Sequence, residues 1–111
     1  PAPVINLTRR RAFEMFRDGM SIAEVAQEIA RAPGTAAQYL ADYIEETGPA
    51  SVDPWISPET YRRVAQAAAT EGMERLKPVF EALGGDVSYE DIRIVLAHLR
   101  SRKPAARVRL S

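Results

Sequence analysis

No cysteine occurs in the 111 residues, and histidine and tryptophan occur once each. Without cysteine there are no disulfides and no cysteine-ligated metal, and nothing points to an oxidising compartment. A single histidine, His98, leaves no partner of its own kind or any cysteine for a metal site or a catalytic pair. Set beside the apolar stripe late in the last helix, it reads as a surface or boundary residue. No apolar run approaches the roughly 20 residues that span a bilayer. The phosphate-cradling, dinucleotide, zinc-protease and calcium-loop signatures are all missing. Carboxylate pairs such as Glu45-Glu46 and Glu90-Asp91 are consecutive, so on a helix they diverge by about 100° and do not converge on a substrate. Catalysis by this chain alone is not expected. The chain opens at Pro1 without a signal segment, which suggests an excised piece of a longer protein.

What is present fits one soluble globular unit with a modest core, since hydrophobic residues make up 46 % and charged residues 27 %. The net charge of zero conceals an asymmetry. Residues 1–20 carry +2, residues 21–50 carry −4, residues 51–86 carry −2 and residues 87–111 carry +4. Basic ends around an acidic middle hint at phosphate contacts, with solvated termini as the plainer alternative.

The periodicity predicts an all-α fold of about six short helices. Thr8 is read as the cap of the first, with Ala12, Phe13, Phe16 and Met20 inward and Gly19 at its end. Ser21 and Glu24 form a capping box for the second, whose inner face is Ile22, Val25, Ala26 and Ile29. Pro33 forces a stop, Gly34 turns, and Thr35 is read as the cap of a third helix carrying Ala36, Leu40, Tyr43 and Ile44. After the Pro-rich linker at 48–58, Ser57-Pro58 opens a fourth helix. A fifth holds Pro78 near its first turn, and Ser88 caps a sixth with Tyr89, Ile92, Val95, Leu96 and Leu99 inward. Strand alternation is absent apart from a possible short β-wing near Val52–Ile56. The resulting organisation is a tri-helical helix-turn-helix over 8–47, a C-terminal helical subdomain over 57–101 packed on it, and a basic tail over 102–111.

In a DNA-reading helix-turn-helix the start of the second helix of the motif enters the major groove. Here that places Thr35, Ala37, Gln38 and Ala41 toward the groove, with Gln38 able to pair with adenine and Thr35 and nearby amides able to meet phosphate. Yet the helix has no Lys or Arg and carries Asp42, Glu45 and Glu46. Phosphate contacts therefore fall to Arg9, Arg10, Arg11, Arg31, Arg100, Arg102 and Lys103. Tyr39 and Trp55 could each stack on an unpaired base, although Tyr39 also reads as a boundary residue and Trp55 as a linker aromatic pinned over the core. A tri-helical packing unit with no nucleic-acid role stays open as an alternative.

The stretches "FEMFRDGMSIAEVAQEIARAPGTAAQYLADYIE" and "ERLKPVFEALGGDVSYEDIRIVLAHL" together resemble the helicase-associated helix-turn-helix domain at the C-terminus of many RecQ-type and other DNA helicases. The resemblance runs from Thr8 to Arg100, and its second half is the more specific. It implies an accessory module of an ATP-dependent DNA helicase in the cytoplasm, associated with the nucleoid. The motor, with its ATP and Mg, would lie upstream in the same polypeptide. The family's core positions fall on Ile22, Val25, Ala26, Ala36, Leu40 and Ile44, and its last-helix positions on Tyr89, Ile92, Arg93 and Leu96. The glycine usual at the turn is replaced around Ala30-Arg31. Two other functions are weighed against DNA binding: a protein-docking module that uses the acidic third helix, and a small transcription regulator, which that acidic helix and the lack of a dimerisation helix disfavour.

Overall fold

A computed structural model describes residues 6–102. Six helices follow in order: α1 Leu7–Arg17, α2 Ile22–Ile29, α3 Pro33–Thr47, α4 Pro58–Glu71, α5 Leu76–Ala82 and α6 Tyr89–Arg102. No strand occurs among the described residues. The all-α expectation holds. Arg102, expected to begin the tail, belongs to α6, and residues 103–111, Lys103 among them, lie outside the described residues.

Local chemistry explains most of the helix ends. The Ser21 hydroxyl accepts from the Glu24 amide at 3.1 Å while the Glu24 carboxylate accepts from the Ser21 amide at 2.9 Å, completing the capping box. The Ser57 and Ser88 hydroxyls cap α4 and α6 without a reciprocal bond, accepting from the Thr60 and Asp91 amides. Two starts differ from the sequence reading. Asn6, not Thr8, caps α1, its side chain accepting from the Arg9 amide at 3.0 Å. α3 begins two residues before Thr35, because Pro33 takes the first helical position, where its missing N–H costs nothing. Thr35 is therefore inside the helix.

The turn between α2 and α3 is Ala30 to Ala32, and Ala30 is left-handed at φ 56°, ψ 48°. The Ala30 amide donates to Gln27 at 3.3 Å and the Arg31 amide to Ala26 at 3.0 Å. That pair of bonds is the Schellman closure, which normally has glycine at the left-handed position. Alanine thus fills a left-handed place that glycine usually takes.

α3 and α6 form the centre. α3 buries Ala36, Ala37, Leu40, Ala41 and Ile44, and its most extensive neighbour is α6. α1 and α2 cover the other side of α3, whereas α4 and α5 pack on α6. Enclosed from several sides, α6 buries Ile92, Ile94, Val95, Leu96, Ala97 and His98, a wider face than the expected stripe. Tyr89 is a correction, being exposed at 42 % and stacked flat on Phe80 with centroids 4.3 Å apart. His98 is another. It is 4 % exposed, not a surface or boundary residue.

The linker packs as a turn, not a β-wing. Trp55 and Ile56 amides both donate to the Val52 carbonyl at 2.9 Å, a local turn pattern and not a strand ladder, and it holds Val52 and Ile56 together in the core. Trp55 donates its indole N–H to Met20 at 2.8 Å and meets Phe16 edge-on, which pins the linker across α1 and α3.

Candidate nucleic-acid interface

The outward edge of α3 carries Gln38, Asp42, Glu45 and Glu46, and each is held by a neighbour. Arg9 reaches across from α1, its Nε donating to Asp42 at 3.3 Å and its Nη2 to Glu46. Its guanidinium also lies over the Phe13 ring, 4.4 Å from the centroid. The hydrogen bond to Glu46, followed by the weaker partnership with Asp42, outweighs the opposing burial and raises the Arg9 pKa further. Gln38 donates to the other oxygen of Asp42 at 3.0 Å, and Arg100 of α6 donates to Glu45 and, at 2.6 Å, to the Met73 carbonyl. Every acid of α3 is therefore in an ion pair with an arginine from a flanking helix. Phosphates approaching this edge meet neutralised pairs instead of bare carboxylates.

The arginine triplet divides by direction. Arg9 lies three residues before Ala12 and four before Phe13, on the inward stripe of α1, which is why it meets α3. Arg10 and Arg11 are exposed and take part in no ion pair among the described residues, as is Arg17, one helical repeat beyond Arg10 on the same face. Arg17 was not among the residues expected to touch DNA, although the i, i+7 spacing from Arg10 marks it. Arg31 is exposed at the turn and folds back to the carbonyls of Ile29 and Ala30 at 3.3 and 3.2 Å. Arg102 is exposed at the end of α6, away from the α1 face in sequence.

At the start of α3 the geometry narrows the options. Ala37 and Ala41 are buried at 0 % and 2 %, so they face the core and not a groove. Gln38 is exposed and Thr35 half-buried, and the Thr35 and Ala36 amides already donate to the Ala32 carbonyl. Those two backbone amides are not free for phosphate. Tyr39 is half-buried, and its hydroxyl accepts from Asn6 at 3.3 Å. Trp55 is committed to the core, as described above.

A family model described as a helix-turn-helix domain matches residues 8–96, and the chain belongs to that family. The match spans both the tri-helical part and the C-terminal helices, so α4 to α6 are integral to the family's pattern. Neither the curated proteins nor the solved structures contain a match to this chain. No described helix is long and apolar enough to cross a membrane.

Proposed function

We propose that this helix-turn-helix domain is a DNA-binding accessory domain of a RecQ-like ATP-dependent DNA helicase, holding phosphates without reading a defined base sequence. The observation that carries the reading is the division of charge. Arg9 and Arg100 neutralise the acids of α3, which leaves Arg10, Arg11 and Arg17 on the outer face of α1 for phosphate. Base readout is correspondingly thin, because Gln38 is the only exposed amide on α3 and its nitrogen is engaged by Asp42. The helicase assignment rests on the resemblance in the C-terminal half, whose Phe80 and Tyr89 form a stacked pair joining α5 to α6. In this reading the chain is not itself catalytic, and ATP and Mg belong to the motor of the same polypeptide.

The test is a variant with Arg10, Arg11 and Arg17 all replaced by Ala, titrated with labelled duplex DNA at several salt concentrations. Each lost phosphate contact should flatten the log-log salt dependence by about 0.9, so the slope should fall by about 2 to 3 and affinity should drop for unrelated sequences alike. An unchanged slope would remove the α1 face from the interface.

A further inference from the structure

A cavity of about 340 Å³ opens where the linker, α4 and the end of α6 meet, lined among others by Ser51, Asp53, Tyr61, Arg62, His98 and Arg102. Its size falls within the range of small-ligand sites, roughly 300–1,000 Å³. The inner wall is fixed. His98 Nε2 lies 2.9 Å from the Pro49 carbonyl, which can only accept, so that nitrogen carries a proton and donates. In the neutral ring Nδ1 then accepts from the Tyr61 hydroxyl at 2.7 Å, and the two rings meet edge-on with centroids 5.5 Å apart. No buried side-chain polar atom among the described residues lacks a partner, so His98 and Tyr61 shape the wall and leave recognition to the rim.

At the rim, Arg62 and Arg102 are exposed and form no ion pair among the described residues, and Asp53 and Ser51 sit in the same cavity. A bare oxyanion would gain from the two guanidinium groups but would be repelled by the carboxylate. A nucleotide carries both complements: a phosphate for the arginines and, on most bases, an exocyclic amino group that can donate to Asp53. The Tyr61 ring adds apolar surface against which a base can lie.

From these features we propose that the cavity between α4 and α6 takes one unpaired nucleotide of a DNA strand, its phosphate on Arg62 and Arg102 and its base toward Asp53. The site rests on the DNA-binding reading above and extends it to single-stranded substrate. It is distinct in residues from the α1 face, so the two can be tested separately.

The experiment titrates the full chain with a short mixed-sequence single strand and with duplex DNA, comparing the unaltered protein with Arg62→Ala/Arg102→Ala and with the α1 triple variant. Both altered arginines in the cavity are exposed, and their removal leaves the His98–Tyr61 wall in place. The cavity variant is expected to bind the single strand about tenfold more weakly while keeping its duplex affinity. Ring signals of Tyr61 and His98 in NMR spectra should shift with the single strand and not with inorganic phosphate. Single-strand binding unchanged in the cavity variant, or shifts of equal size with phosphate alone, would overturn the nucleotide site while leaving the α1 reading intact. No binding of either DNA by the unaltered chain would overturn both.

Discussion

Replacing Ala30 with Gly should make the protein more stable, although it puts the least helix-compatible small residue at a helix end. Ala30 sits at φ 56°, the one non-glycine residue with positive φ among those described. A left-handed conformation costs an L-residue roughly 1–2 kcal/mol, because Cβ crowds the following carbonyl. Glycine escapes that cost but gives up about 0.5–1 kcal/mol through the greater freedom of its unfolded chain. Ala30 is exposed, so removing its methyl group opens no cavity. The net expectation is a gain of about 0.5–1 kcal/mol, which in a domain of this size raises Tm by roughly 2–8 °C. Thermal and urea unfolding followed by far-UV circular dichroism would measure it. Gly48→Ala, at φ 59° after α3, is the mirror control and should lose a similar amount. An A30G protein no more stable than the original would contradict the Schellman geometry from which the argument starts, and with it the described turn between α2 and α3.

Arg9→Ala should destabilise the fold by about 1 kcal/mol at low salt and by less at high salt. The side chains of its two ion pairs are 31–55 % exposed, so each pair is worth only a few tenths of a kcal/mol, with the contact to Phe13 adding a similar amount. A urea midpoint indifferent to salt in both proteins would refute that partition. Tyr61 gives a pH signature. Burial, partly offset by the charge of Arg102, holds its phenol above the ordinary 10.0, so the folded state favours the protonated form. Its contribution is complete below pH 10 and is lost as pH rises through the folded value, because the unfolded chain releases its proton first. Tyr61→Phe should therefore show a shallower alkaline loss of stability than the original, and parallel curves would show that Tyr61 does not contribute.

Much of the architecture could be read from short-range chemistry. Ser21 with Glu24, Ser57 with Pro58, and Ser88 ahead of acids each announce a helix start, and Gly48 and Gly72 mark helix ends. The misplaced starts share one cause. Thr8 and Thr35 are good caps by composition, but Asn6 and the fixed φ of Pro33 acted earlier in the chain. The burial of His98 could not be read locally, since its partners Pro49 and Tyr61 come from the linker and from α4. The wide apolar face of α6, too, depends on being enclosed by α3 on one side and α4 and α5 on another. At the interface the pattern held a usable signal that composition hides. Consecutive arginines fan out by about 100°, so only the one in register with Ala12, Phe13 and Phe16 can turn inward. Arg9 is that residue, while Arg10 and Arg11 stay outside.

The most direct test of the DNA-binding reading is a fluorescence-anisotropy titration of the unaltered chain against single-stranded, duplex and forked DNA at low and physiological salt. Phosphate contacts through the α1 face predict binding to all three that weakens steeply as salt rises, with a duplex slope of about −0.9 for each phosphate neutralised. Absence of binding at low salt would contradict it and turn attention to a protein surface as the partner of α3.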